Sequence, residues 1–438
     1  MPAFCSRALA LVHHAPKHIV TMATKKEEDG GPAGAGAGAG AGGCEEAAAD
    51  VVVVDWDDVV SDSSSNSASG LHGAFERALG PRGIGLVAIR GVPGFVEAKA
   101  SLLPMAHALA SLPQDYLETE LADEASLYNA GWSHGKEKLG DKPDFAKASY
   151  YYNPVTDRPG TDEDRGKYPL SYPANVWPSE DVLPGFKAAA KNLGNILFET
   201  VVGLTKHLDQ LAAKKLLLGE EASGGDGASG DDAAATSLYD TMNGTDKVKA
   251  RLLYYYPLKE QQRHQPKSDS WIGWHNDSGF LTALAGDIYV EHGTGKILDR
   301  SPDPDSGLYV VDRHTKSVLQ VKIPADCVAV QIGECTQIVT GNTFTATPHC
   351  VRGIAPSGGG DGDVARISLA CFVDSPPGFE LKLPRGCTRR QVLDVVNPKV
   401  PPLDGRWTHD GMTFGDFLHA TFSRYYDWND DDGGGEGK

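Results

Sequence analysis

Residues 307–332 read GLYVVDRHTKSVLQVKIPADCVAVQI. This stretch holds three short runs rich in β-branched residues, at 307–312, 317–323 and 327–332, with Asp or Pro at most of their boundaries. No helical pattern lies between the runs. Short strands that follow one another in this way predict an antiparallel double-sheet barrel or jelly roll, and they disfavour a doubly wound parallel sheet.

Three further runs of the same kind lie outward from this stretch, at 251–256, 279–284 and 366–373. Together the six runs predict a jelly-roll core over 246–385. Helical patterns lie mainly on either side of it, so the expected fold class is mainly β with flanking helices, an α+β protein.

The region 51–245 is predicted to be rich in helices. A compact Val run at 51–54 and an apolar run at 83–89 predict two strands, with a helix between them. Apolar residues at steps of three and four predict the longest helix over 184–218, with Pro184 in its first turn. An acidic Gly, Ser and Ala tract at 219–235 predicts a surface loop insertion, and 386–428 predicts a C-terminal helical segment.

Both ends of the chain have the composition of disordered segments. Residues 1–50 contain Gly-Ala repeats with little side-chain mass to bury, and 429–438 is acidic and Gly-rich. Residues 1–22 lack Asp and Glu, so they are a weak candidate for a transit peptide. The alternative is an upstream extension, with Met22 as the working start.

Charge and cysteine usage narrow the classes of partner and compartment. The 438-residue chain has a net charge of −18, which argues against nucleic acid or an anionic membrane surface as a partner. Seven cysteines without a C-x-x-C pair indicate neither a disulfide framework nor a cysteine zinc site. We expect a monomer in the cytoplasm, or in a plastid or mitochondrion if residues 1–22 act as a transit peptide.

His275 and Asp277 are the first candidates for chemistry. Residues two apart on a strand point to the same face, so this pair can offer an imidazole and a carboxylate to one ion. His349, in a later strand region, would complete a set of two histidines and one carboxylate. Such a set leaves positions open on Fe(II) for a 2-oxo acid and dioxygen, whereas a structural zinc site closes with a fourth protein ligand.

Arg366 and Ser368 form a second pair on one strand face. The guanidinium fork binds both oxygens of a carboxylate at once. The other strand face is apolar, so an Arg directed into the barrel needs an anionic partner.

These motifs resemble those of the iron(II) and 2-oxoglutarate-dependent dioxygenases, in their isopenicillin-N-synthase-like, plant-rich branch. The resemblance covers most of 51–428. It is carried by segments similar to family motifs: YYYP at 254–257, WHNDSGFLT at 274–282, GECTQI at 333–338, TPHCV at 347–351, the R-x-S of Arg366 and Ser368, the 83–95 segment and the helix from Pro184.

The resemblance implies a double-stranded β-helix core and a set of roles. His275, Asp277 and His349 would be the catalytic residues that hold Fe(II), while Tyr256, Arg366 and Ser368 would bind 2-oxoglutarate. Dioxygen is the other co-substrate, and ascorbate is a candidate reductant. The implied reaction is hydroxylation or desaturation of a small organic substrate, with decarboxylation of 2-oxoglutarate to succinate. Plant origin is implied in the same way.

The chain departs from the family pattern at several positions. Tyr254 stands where the family has Asn, and Arg90 stands where the family has a His. A long separation of Asp277 from His349 predicts an insertion at 285–306, and 357–363 is an added Gly-rich loop. Each departure leaves the three metal ligands in place.

Other functions stay open on the sequence. One is an oxidase of the same fold that does not use 2-oxoglutarate, and another is a catalytically silent relative that binds a small molecule. A cupin-like isomerase or hydrolase with the same ligands is a more remote third. The substrate could be a flavonoid, a hormone, an alkaloid precursor, a lipid-derived acid or a protein side chain.

Overall fold

The computed structural model describes residues 48–61, 66–136, 138–139, 142–223, 236–258, 271–354, 363–395 and 397–431. Most of the predicted leader, residues 1–47, lies outside the described residues. The same holds for 224–235 of the predicted acidic loop, for most of the Gly-rich loop at 357–363 and for 432–438 of the predicted tail.

Strands and helices are numbered here in chain order. The strands are β1 (Val53–Asp55), β2 (Leu86–Arg90), β3 (Gly131–His134), β4 (Lys138–Leu139), β5 (Lys142–Pro143), β6 (Lys147–Tyr152), β7 (Val248–Tyr255), β8 (Ile272–His275), β9 (Leu281–Glu291), β10 (Ile297–Leu298), β11 (Gly307–Val311), β12 (Val318–Gln320), β13 (Cys327–Ile332), β14 (His349–Arg352), β15 (Val364–Val373), β16 (Glu380–Leu381) and β17 (Met412–Thr413). The helices are α1 (Trp56–Val60), α2 (Asn66–Leu79), α3 (Phe95–Leu102), α4 (Met105–Ala110), α5 (Gln114–Thr119), α6 (Asp162–Lys167), α7 (Phe186–Ser223), α8 (Leu238–Met242), α9 (Glu334–Val339), α10 (Arg389–Leu393) and α11 (Phe414–Asp431), with a 3₁₀ turn at Leu403–Gly405.

Two sheets build the core. The larger has nine strands in the order β1-β2-β13-β9-β15-β7-β6-β3, with β10 paired to β9. The smaller has the order β12-β11-β14-β8. All pairs in these sheets are antiparallel except β1 with β2, and residues of both sheets line one cavity between them. The predicted fold class, an α+β protein with a jelly-roll core, is confirmed.

Helix α7 covers the outer face of the larger sheet. Its apolar residues recur every three or four positions, and Leu193, Leu197, Val201 and Leu204 are fully buried. The helix ends at Ser223, so it runs into the predicted loop insertion at 219–235. This corrects the start of that insertion, because the Glu and Ala residues at 220–222 are good helix formers.

The N-terminal region 51–245 and the predicted core share one sheet. Strand β2 pairs with β13, and β6 pairs with β7. The predicted insertion at 285–306 is only in part a loop, because β9 continues to Glu291 and β10 returns against it. No described helix is long and apolar enough to cross a membrane.

Candidate active site

The two predicted histidine ligands lie side by side in the smaller sheet. Strand β8 ends at His275 and β14 begins at His349, and the antiparallel register pairs these two residues. Their ring centroids are 4.2 Å apart. Asp277 follows in the connection to β9, where the Thr282 hydroxyl donates a hydrogen bond of 2.7 Å to Asp277 Oδ2. That bond leaves Oδ1 directed at the histidines.

The three side chains converge on one point. Asp277 Oδ1 lies 4.0 Å from His275 Nε2 and 3.8 Å from His349 Nε2. One atom from each of the three residues fits within a 4.8 Å spacing. Within the described residues, no other group of three or more His, Cys, Asp or Glu side chains meets that spacing.

His275 has the tautomer that a metal ligand needs. Its Nδ1–H donates to the carbonyl oxygen of Gly273 at 2.8 Å, so the Nε2 lone pair faces Asp277. Burial and the neighbouring His349 lower the pKa of His275 to about 4, although Asp277 raises it. The imidazole is therefore neutral near neutral pH and can donate its lone pair to a cation.

Gln331, which is not among the predicted site residues, orients His349. Its buried side-chain Nε2 lies 2.7 Å from His349 Nδ1, and the Thr347 carbonyl oxygen lies 3.1 Å from the same nitrogen. When the amide is turned by 180°, its oxygen takes the place of Nε2 and accepts the Nδ1–H proton of the tautomer that leaves His349 Nε2 free. The available signal was a single polar residue in the apolar run 327–332.

We expect Gln331→Leu to raise the Kd for Fe(II) by about 10- to 100-fold, the usual effect of removing a partner that orients a metal-bound imidazole. Gln331→Glu is the matched control, because its carboxylate still accepts from Nδ1–H and should keep the affinity close to wild type. Anaerobic calorimetric titration of Fe(II) into the metal-free protein measures both. Equal affinities for the Leu and Glu variants would contradict this role.

A buried ion pair supports the segment between His275 and Asp277. Asn276 donates from Nδ2 to Glu334 Oε1 at 2.8 Å. Glu334, at the start of α9, pairs with Arg406, whose Nη2 donates to Oε1 at 2.6 Å. Both charged side chains are almost completely buried. No local sequence pattern predicts this network, since its members lie far apart in the chain.

The cavity between the sheets has a volume of about 1070 Å³ and runs from the three ligands to Arg366 and Ser368. Arg366 is buried on β15, and its Nε donates to Asp287 Oδ2 at 2.7 Å. Among the described residues, Arg366 Nη1 is buried without a hydrogen-bond partner. A buried guanidinium N–H without an acceptor is an unmet hydrogen bond that an anionic group of a ligand can satisfy.

The structure places a different tyrosine beside Arg366 from the one expected. Tyr255 lines the cavity, and the Arg366 guanidinium lies 4.8 Å from the centre of its ring. Tyr256 points away and stacks on His134, with ring centroids 4.9 Å apart. Tyr255 therefore faces the cavity and Tyr256 does not, because adjacent side chains of an extended chain point to opposite faces, and binding of 2-oxoglutarate by Tyr256 stays a prediction. Ser368 lies on the Arg366 face as expected.

The donor set fits a ferrous ion. Two neutral imidazole nitrogens and one carboxylate oxygen, without a fourth described protein ligand nearby, are the arrangement that leaves coordination positions open. The buried Arg366 Nη1 in the same cavity fits the far carboxylate of a 2-oxo acid.

A comparison with protein-family models finds no match to this sequence, and a comparison with curated proteins also finds none. Solved structures do match. A full-length Neurospora crassa protein in complex with alpha-KG is 17% identical, with a TM-score of 0.56, over 84% of this chain and 94% of that chain. A 2OG-Fe(II) oxygenase family protein from Caulobacter crescentus is 18% identical, with a TM-score of 0.55, over 86% and 99%.

The same Neurospora crassa protein in complex with alpha-KG and 5-formyluracil also matches, at 16% identity and a TM-score of 0.54, over 84% of this chain and 94% of that chain. At such identities the likeness shows a shared fold. The expected double-stranded β-helix of the 2OG-Fe(II) oxygenases is therefore confirmed for this chain, whereas its place in the plant-rich branch stays a prediction.

Proposed function

We propose that this protein is a non-haem Fe(II), 2-oxoglutarate-dependent dioxygenase that hydroxylates or desaturates a small organic substrate. One observation carries the proposal: a single cavity contains the His275, Asp277 and His349 cluster and a buried Arg366 with an unpartnered N–H group. A dicarboxylic 2-oxo acid needs two such binding groups. The metal ligands would place the ion that binds its keto-acid end, and Arg366 would bind its distal carboxylate.

Two groups of residues form the metal centre: those that would hold iron and those that orient them. His275, Asp277 and His349 would hold iron, which supplies the oxidising chemistry with dioxygen and 2-oxoglutarate when bound. Gly273 and Gln331 contact the two Nδ1 atoms, so they would leave both Nε2 atoms free to hold the ion. Thr282 holds one oxygen of the carboxylate, so the other stays aligned with the histidines.

Arg366, Ser368 and Tyr255 would bind the far end of 2-oxoglutarate. Arg366 offers Nη1, Ser368 offers a hydroxyl on the same strand face, and the Tyr255 ring packs against the guanidinium. A planar guanidinium held between a ring and a carboxylate keeps its orientation, so it can fix the distance between the distal carboxylate and the metal ligands.

The remaining walls of the cavity are largely apolar. Leu253, Ile272, Leu284, Val351 and Phe372 line it. Such walls exclude water from the metal centre and hold an organic substrate by its carbon skeleton. The matched Neurospora crassa protein binds 5-formyluracil, a molecule of small size, and the cavity here has room for a substrate of that class beside the co-substrate.

A second candidate is an oxidase of the same fold that does not use 2-oxoglutarate. The ion pair between Asp287 and Arg366 favours it, since the guanidinium already has one carboxylate partner. The three metal ligands serve either reaction. The two candidates differ in whether a 2-oxo acid binds and whether succinate is released.

Anaerobic titration of Fe(II) and then 2-oxoglutarate into the metal-free protein separates the candidates. We expect the weak visible metal-to-ligand charge-transfer band of a 2-oxo acid bound to ferrous iron, followed by succinate release with the true substrate. Iron binding without a band would overturn the co-substrate assignment and favour the oxidase. A band without oxygen consumption for any substrate would favour a silent relative.

Arg366→Met is expected to raise the Kd for 2-oxoglutarate by about 30-fold or more, because a charge-assisted hydrogen bond to the distal carboxylate is lost. The matched control is Arg300→Met, an exposed cation at the rim of the same cavity, which should change the Kd less than about twofold. Titration of the charge-transfer band gives both constants. Unchanged affinity in Arg366→Met would contradict the assignment of this residue.

A further inference from the structure

Helix α3, the 299–304 segment and the 320–325 segment also contribute lining residues to the cavity. We call the part of the cavity that they line the side chamber. Lys99 of α3 reaches into it and is buried, with a relative exposure of 8%. A buried ammonium group in a cavity needs a compensating anion or hydrogen-bond acceptors.

Lys99 has little compensation from the protein. Its Nζ donates to the Ala325 carbonyl oxygen at 3.2 Å. No described carboxylate lies within 4.0 Å of it, so it takes part in no ion pair there. Burial lowers the pKa of Lys99, and among the charges around it the Asp287 carboxylate raises that pKa most. The hydrogen bond to Ala325 uses one of the three ammonium protons, and Nζ also lies 5.8 Å from the centre of the Phe95 ring.

Lys99 lies close to the Asp287 and Arg366 pair. Its Nζ is 3.0 Å from the point that a Cβ would occupy on Gly286, the residue before Asp287. Gly286 has a φ of +72°, next to the irregularity in the pairing of β9 with β15. A side chain at position 286 would be strained and would push against the ammonium group, so glycine lets Lys99 approach this end of the cavity.

The charges at this end do not suit a dicarboxylate without Lys99. Asp287 neutralises Arg366, and its oxygens would also repel a second carboxylate. Asp299, Arg300, Asp303 and Lys322 also line the cavity, and their four charges sum to zero. With Lys99 added, the two cations Lys99 and Arg366 and the carboxylate of Asp287 therefore leave one net positive charge. One positive charge matches the single distal carboxylate of 2-oxoglutarate.

We propose that the Lys99 ammonium group restores the net positive charge that is lost when Asp287 neutralises Arg366. Lys99 thereby makes the protein bind a 2-oxo acid with a distal carboxylate more tightly than a 2-oxo acid that lacks this carboxylate. The inference rests on the proposed function. It gives helix α3 a role in co-substrate specificity. The residue responsible, Lys99, lies outside the family-like motifs of the sequence.

The test compares 2-oxoglutarate with 2-oxopentanoate, which has the same carbon chain and lacks the distal carboxylate. Both are titrated by calorimetry into the Fe(II)-loaded full-length protein without oxygen. We expect Lys99→Met to raise the Kd for 2-oxoglutarate about tenfold and to leave that for 2-oxopentanoate within about twofold. Lys214→Met, which removes an exposed cation on α7 that does not line the cavity, is the matched control and should change neither Kd.

Asp287→Asn tests the same charge balance by removing the carboxylate in place of the ammonium group. Its result does not depend on how well Lys99→Met folds. Removal of this carboxylate should lower the Kd for 2-oxoglutarate several-fold, and the double variant should lie near wild type. An unchanged 2-oxoglutarate affinity in Lys99→Met, equal losses for both acids, or weaker 2-oxoglutarate binding in Asp287→Asn would each overturn the inference. If the wild type binds neither acid, the proposed function fails instead.

Discussion

Asp277→Ala should abolish Fe(II) binding and turnover. Asp277 Oδ1 lies between the two histidine Nε2 atoms, and it is the single anionic ligand of the cluster. Without it, two neutral imidazoles must hold a divalent cation unaided. We expect the Kd for Fe(II) to rise by more than the roughly 10- to 100-fold that follows loss of an outer partner, and succinate formation to fall below detection. Anaerobic calorimetry and a succinate assay measure the two effects.

The matched control is Asp299→Ala, which removes an exposed carboxylate from the rim of the same cavity. Its metal affinity and turnover should equal those of wild type. Folding of Asp277→Ala should be close to normal, since the variant loses one described hydrogen bond, from Thr282. An Asp277→Ala protein with wild-type turnover would refute the metal centre and the reaction built on it.

Arg406→Leu should lower the free energy of unfolding by about 3–5 kcal/mol, because it leaves the Glu334 carboxylate buried without its cation. Arg406 is fully buried and Glu334 is 2% exposed in its side chain, so water does not replace the lost partner. Urea denaturation followed by circular dichroism measures the change. Fe(II) affinity should fall as well, because Glu334 accepts the hydrogen bond from Asn276 between two of the ligands.

Two comparisons keep this prediction specific. Lys382→Ala breaks an exposed pair with Glu380, whose side chains are 63% and 53% exposed, and it should cost less than about 1 kcal/mol. The double variant Arg406→Leu with Glu334→Leu should recover much of the stability, since it leaves no unpaired charge. A loss below about 1 kcal/mol in Arg406→Leu alone would show that Glu334 has other compensation.

Local pattern was enough to find several strands. The run 327–332 coincides with β13, because every residue of that strand is buried and the sequence shows it as a continuous apolar stretch with one polar residue. The run 279–284 ends too early. Strand β9 continues through Gly286 and Asp287, which are unfavourable in an isolated strand pattern. In the fold, Arg366 on the neighbouring strand compensates Asp287.

Some residues of the candidate site were predictable from local sequence, and others depend on strand pairing. His275 and Asp277 were found as a local pair, and Arg366 and Ser368 were found by their shared strand face. The tyrosine that the structure places beside Arg366 is Tyr255, one residue before the expected Tyr256. Sequence alone leaves three consecutive tyrosines equivalent, whereas pairing of Tyr255 with Arg366 across β7 and β15 selects one of them.

The sequence by itself determined the jelly-roll class and the residues whose spacing along a strand gives them a common face. Only the tertiary structure decided which buried charges meet: Arg406 with Glu334, and Lys99 near Asp287 and Arg366. The physical reason is that strand alternation is a local property of the backbone. The partner of a buried charge, by contrast, is chosen by sheet register and helix docking between segments far apart in the chain, and a single sequence carries no separate signal for it.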